Sequence, residues 1–97
     1  MGQRDPRYSL IKPMIKEGKI TSFSDIFQFI PKTIVARDLG KKVDRFTALM
    51  HRVEGFTLEE LFIIGKFCEV DESQMLRLVE TQYLKSKDKI LKSDLSF

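Results

Sequence analysis

The sequence predicts an all-α fold, a compact bundle of five to six short helices. Three observations point there. Apolar residues recur three and four positions apart rather than in alternation. Glycine and proline fall between these periodic segments, where helices stop and start. Two segments open with Ser or Thr followed three residues later by an acidic residue, the pattern of a capping box. Ninety-seven residues suit one domain around one modest core.

Tyr8 to Glu17 places Leu10, Ile11, Met14 and Ile15 at helical spacing, and Gly18 stands where it should stop. Pro13 inside this segment is compatible only with a first turn. Ser22 and Asp25 open a short second helix through Ile26, Phe27 and Ile30, which Pro31 ends. Lys32 to Leu39 is the third helix, with Val35, Ala36 and Leu39 on one side and Gly40 as its left-handed cap. Two lysines make a turn into a helix from Val43 to Val53, closed by Glu54-Gly55. Thr57 and Glu60 box the start of a fifth helix, with Phe56 and Leu61 as a staple. That helix runs to about Cys68, is apolar on nearly all sides, and is expected at the centre of the core. Gly65 within it costs about 1 kcal/mol against alanine and suggests close backbone packing. Asp71 caps a sixth helix through Met75, Leu78, Val79 and Gln82. Residues 1–84 thus form a single helical domain. Residues 85–97 are a basic tail, frayed or docking on a dimer partner through Ile90, Leu91, Leu95 and Phe97.

Charge is uneven along the chain. Residues 1–53 hold eleven Lys or Arg against five Asp or Glu, and residues 54–97 hold six against nine. A basic half beside an acidic half suggests one face suited to a polyanion. No apolar stretch approaches the ~20 residues of a membrane span. The first residues lack the apolar core of a signal peptide, and one cysteine precludes an internal disulfide, so a cytoplasmic, nucleoid-associated location is expected.

The segment 32–53 has the parts of a helix-turn-helix. Ala36 is the small residue that lets a second helix cross closely, Gly40 makes the turn, and Phe46 and Leu49 lock the second helix onto the first. At about 100° per residue, an inward side of Phe46, Leu49, Met50 and Val53 turns Asp44, Ala48 and His51 directly outward. Thr47 flanks this strip on one side, Arg45 and Arg52 on the other. Small and polar side chains in the middle suit base edges, and flanking arginines suit phosphates. Lys41 and Lys42 add positive charge where a helix N-terminus already favours an anion.

The pattern Val35-Ala36, Leu39-Gly40, Phe46, Leu49, then Leu61 to Cys68, Val70 and Met75 resembles the lambda-repressor-like family of bacterial and phage regulators, the Cro or xenobiotic-response-element type. The resemblance implies five short helices, double-stranded DNA as the ligand, a homodimer on a near-palindromic operator, and repression of transcription. It implies a phosphate contact for Lys32, base-facing positions for Val43, Asp44, Thr47 and Ala48, and a base-edge or backbone position for His51. Three departures stand out. Lys41 replaces a usual apolar residue, Val43 a common glutamine and Gly65 a usual alanine. Residues 1–31 match the family only loosely.

Other readings of these residues are bland. His51 is the only histidine, which excludes a multi-histidine metal site; it is either a groove contact or simply solvated. Cys68 reads as a buried structural thiol. Glu59, Glu60, Glu69, Asp71 and Glu72 read as helix caps and a solvated face. Asp44 either accepts from a cytosine amino group or stabilises a helix N-terminus. No phosphate loop, nucleophile motif or metal-ligand spacing occurs, so neither enzymatic activity nor a cofactor is expected. The competing function is a protein-interaction module on the same fold, an antitoxin or adaptor. A general nucleoid or RNA binder fits less, since nothing resembles an aromatic stacking platform for single strands.

Overall fold

Proline and helix caps set the element boundaries of this computed structural model, which describes residues 4–95 and their side chains through Lys87. A 3-10 turn, Pro6–Leu10, leads directly into α1, Ile11–Lys16. The expected single helix is therefore split, because Pro13 has no N–H to donate and the α-type ladder begins only around it. Asp5 caps the 3-10 turn, accepting the Arg7 backbone N–H at 2.9 Å and the Arg7 guanidinium at 2.8 Å. The second predicted helix is a 3-10 turn, Phe23–Gln28, entered through the Asp25 carboxylate, which accepts the N–H groups of Thr21 and Ser22.

Pro31 precedes α2, Lys32–Leu39, and supplies the carbonyl for its first bonds. Gly40 ends α2 at φ 78°, a conformation that other residues reach only with strain. Its N–H bonds the Arg37 carbonyl at 3.0 Å, and the Lys41 N–H bonds the Ala36 carbonyl at 2.9 Å, which closes a Schellman motif. Next comes α3, Val43–His51, two residues shorter than expected. Arg52 leaves the helical region (φ −133°, ψ 75°) and a 3-10 turn, Val53–Gly55, follows. The reason lies outside α3. The Gln82 side-chain amide donates to the Met50 carbonyl at 2.7 Å, taking the bond that the Glu54 N–H would make in a continuing helix.

Helix α4, Leu58–Phe67, starts on the expected box: Thr57 Oγ1 accepts from the Glu60 N–H at 3.0 Å, and Glu60 Oε1 accepts from the Thr57 N–H at 2.9 Å. Phe56 and Leu61 are both buried beside it. It is less enclosed than expected, because Leu58 in the first turn is 61% exposed, while Leu61, Ile64, Gly65 and Phe67 are buried. A Cβ on Gly65 would lie 3.1 Å from the Val70 carbonyl oxygen, so the chain after α4 passes too close for an unstrained alanine. The last element, α5, spans Glu72–Leu95. It continues through the segment expected to fray and is not a short helix. The expected docking of Ile90, Leu91, Leu95 and Phe97 lies outside the described side chains.

Among the described residues the chain is all-α, five α-helices joined by three 3-10 turns. Helix α2 packs on α3 and α4, and α5 packs on α4 and on the 3-10 turns at Phe23–Gln28 and Val53–Gly55. Phe23, Phe27, Phe46 and Phe56 meet edge to face, with ring centroids 5.4–5.5 Å apart, a geometry that adds to their burial. At one margin Tyr8 is buried against Phe67 and donates its hydroxyl to Asp38 at 2.8 Å, tying the first turn to α2.

The C-terminus of α4 repeats the Schellman pattern without a glycine. The Glu69 N–H bonds the Lys66 carbonyl and the Val70 N–H bonds the Gly65 carbonyl, with Glu69 at φ 59°. A side chain at this position costs about 1 kcal/mol. Glu69→Gly is therefore expected to stabilise the protein by about 1 kcal/mol, raising the melting temperature by roughly 5 °C, as scanning calorimetry would read.

Candidate nucleic-acid interface

The α2–turn–α3 unit presents two very different sides. Ala36 and Phe46 are fully buried, and Leu49 and Met50 pack half-buried on the core. Val53 is buried too, but from the 3-10 turn and not from α3. On the other side Val43, Asp44, Arg45, Ala48 and His51 are exposed. Thr47 is half-buried and its hydroxyl donates to the Val43 carbonyl at 2.9 Å, leaving oxygen lone pairs as its free polar capacity. Asp44 makes no ion pair among the described residues; it sits in the first turn of α3, where a carboxylate favours the helix dipole.

The basic residues divide by what holds them. Lys42, the residue before α3, is exposed, as is Arg45, and Lys32 at the start of α2 is half-buried. Arg37 pairs with Asp38 at 3.3 Å and Arg52 with Glu54 at 3.9 Å, on side chains 70% and 82% exposed. The solvated Arg52–Glu54 pair contributes little, whereas Asp38 is only 19% exposed and also accepts the Tyr8 hydroxyl. Lys41 is different. Its amine bonds Glu60 Oε2 with both side chains largely covered, while Glu60 Oε1 caps α4. One carboxylate thus joins the α2–α3 turn to α4. The Lys41 side chain is largely covered and its charge is neutralised in place.

Neither α2 nor α3 has a side-chain cap at its N-terminus. The 3-10 turn at Asp5, α4 at Thr57 and α5 at Asp71, whose carboxylate accepts the Gln74 N–H at 2.8 Å, all do. In α2 the Ile34 N–H bonds the Pro31 carbonyl, which leaves the N–H groups of Lys32 and Thr33, with those of the first turn of α3, without a side-chain cap.

One residue that sequence reasoning placed only at the end of a helix organises the back of the unit. Gln82 of α5 accepts the Ser24 N–H at 2.6 Å and donates to the Met50 carbonyl at 2.7 Å. It links the 3-10 turn Phe23–Gln28 to the end of α3. No local pattern signals this, because both partners are remote in sequence. A surface depression of about 450 Å³ lies over this link, and His51 and Lys85 stand at its edge.

The remaining candidate groups are structural. Glu60 and Asp71 cap helices, while Glu59, Glu69 and Glu72 are exposed. Cys68 is buried, and burial pushes its thiol up to about 12, far from a reactive thiolate. Among the described residues no group of His, Cys, Asp and Glu is arranged to hold a metal ion, and no helix is long and apolar enough to cross a membrane.

The Lys41 hydrogen bond, then the Thr57 N–H, hold the Glu60 carboxyl below its ordinary range against a smaller opposing effect of burial. At Asp25 burial opposes ionisation, but the N–H groups of Thr21 and Ser22 outweigh it and the net shift is downward. A carboxyl depressed in the folded state stabilises the fold above its unfolded value, and that stability is lost as pH falls through the folded value. Melting temperature is expected to drop below about pH 4. Glu60→Gln should lower it at neutral pH and flatten this acid limb, as melts across pH would record.

Comparison with family models, with curated proteins and with solved structures returned no match.

Proposed function

We propose that this chain is a sequence-specific, double-stranded DNA-binding regulator of the lambda-repressor-like kind, with α3 entering the major groove. The observation that carries the reading is the division of α3. Phe46 anchors the helix in the core, and a strip of Val43, Asp44, Ala48 and His51 is exposed. Thr47 borders this strip with its acceptor lone pairs. Lys42, Arg45 and Arg52 flank it, and Lys32 begins α2. These four, with the uncapped first turns of α2 and α3, are the groups that would meet phosphates. Lys41 leaves that set, since its charge is spent on Glu60. Val43 and Ala48 offer methyl groups, which favour thymine over the amide-read adenine expected of a glutamine. A homodimer would set two α3 helices on half-sites about 34 Å apart, and repression would follow from occluding a promoter.

A protein-interaction module draws its support from the cations already paired. Arg37, Lys41 and Arg52 each face a carboxylate of the same chain, which weakens the basic rim.

Selection from random duplex DNA with sequencing decides between them, beside a salt titration of wild type and Arg45→Ala/Arg52→Ala. Recovery of an inverted repeat is expected, with the variant binding more weakly and its log–log salt slope shallower by about two. No binding to any duplex at low salt would end the DNA reading and favour the protein partner.

A further inference from the structure

Charge changes sign within the C-terminal half of the chain. From Glu54 to Leu84 there are two Lys or Arg against seven Asp or Glu, and from Lys85 to Lys92 four against one. The change falls where α5 reaches the end of α3. Gln82 donates to the Met50 carbonyl at 2.7 Å, and Ser86 stands one helical turn further along the same side of α5. Two surface depressions meet there. One, of about 450 Å³, is lined by His51, Gln82, Lys85 and Ser86. The other, of about 360 Å³, is lined by His51, Arg52, Ser86 and Lys87. His51 and Ser86 belong to both, so Lys85 and Lys87 stand on either side of a saddle that continues the exposed strip of α3.

Both lysines are exposed. The Lys87 amine lies 5.9 Å from the centre of its own Tyr83 ring, near the limit of such an attraction, and keeps N–H groups able to bond an anion. Two carboxylates line the depressions. That of Asp25 is occupied by the N–H groups of Thr21 and Ser22, and that of Glu54 lies 3.9 Å from Arg52. What remains is a cationic margin with a hydroxyl between two amines, the side-chain types that contact duplex phosphates. We propose that Lys85 and Lys87 of α5 carry the nucleic-acid face past the end of α3, each meeting a backbone phosphate of the duplex whose groove α3 enters. The proposal rests on the DNA reading above and adds two contacts from outside the helix-turn-helix. Such contacts position the protein and carry no sequence information.

Salt titration of the full chain on a mixed-sequence duplex of about 30 base pairs tests it. Lys85→Gln/Lys87→Gln is expected to bind roughly tenfold more weakly near about 0.1 M salt, with a log–log slope shallower by about two and unchanged circular dichroism. Lys66→Gln/Arg77→Gln removes the same charge from the acidic stretch and should keep the wild-type slope. Lysine acetylation of the wild-type chain, read by mass spectrometry, gives a second measurement: the duplex should protect Lys85 and Lys87 and leave Lys66 reactive. A slope that Arg45→Ala/Arg52→Ala flattens and Lys85→Gln/Lys87→Gln does not would overturn this proposal alone. Equal effects of the two Gln double variants, or acetylation of Lys85 and Lys87 indifferent to duplex, would overturn it as well. A wild-type chain that binds no duplex would end both this proposal and the groove reading.

Discussion

Phe46→Ala is expected to remove about 3–5 kcal/mol of stability, a large share of the roughly 5–15 kcal/mol that holds a domain of this size folded. Phe46 is fully buried and its ring lies edge to face with Phe27 and Phe56 at 5.5 Å. The alanine loses the transfer energy of the ring, two aromatic contacts and the packing around the void. Because Phe46 fixes the rotation of α3 about its own axis, the cost is also a test of which side of the helix faces out. Ala48→Ser, two residues along on the exposed side, should shift stability by less than about 0.5 kcal/mol. Urea unfolding of the two variants separates these outcomes. Similar costs for both would mean that α3 is seated on a different face.

The second large effect is expected at Gln82. Gln82→Ala leaves the Ser24 N–H and the Met50 carbonyl without their partner, and should cost about 2 kcal/mol. Gln82→Glu divides the loss. Its carboxylate still accepts from the Ser24 N–H but cannot donate to the Met50 carbonyl. Amide exchange resolves the two ends. Protection of Ser24 should fall in the alanine variant and persist in the glutamate variant. In both, the end of α3 should loosen, since its stop depends on the bond from Gln82. Unchanged exchange around Arg52 and Val53 in both variants would show that the break in α3 has another cause.

These residues also mark how far the fold is legible in the sequence. Gly40, Thr57 with Glu60, and Phe46 act through neighbours a few positions away, so their type and spacing announce the turn, the cap and the buried lock. The all-α class followed from the same local signals. The bond from Gln82 to Met50, and the pairing of Lys41 with Glu60, join segments far apart in the chain, and no periodicity encodes them. The early end of α3 was hidden for the same reason, because a remote side chain replaces an internal hydrogen bond. The length of α5 had a usable signal: residues 85–95 contain neither glycine nor proline, so nothing in them stops a helix. Alternating lysines suggest a frayed or docking tail, although lysine and leucine are good helix formers. The exposed strip of α3 followed from helical arithmetic through His51, whereas Arg52 and Val53 lie beyond the point where that arithmetic applies.

Cys68 gives the protein a built-in reporter of its own opening. The thiol is 1% exposed, held neutral by burial, and stands at the C-terminal end of α4. A thiol reagent in neutral buffer reaches it in molecules whose core around the end of α4 has opened. The labelling rate in native buffer therefore measures the population of that open form, when closing is fast relative to reaction. Followed in the Phe46 and Gln82 variants, one sulfur atom reads whether damage at the base of α3 is confined there or spreads through the whole core.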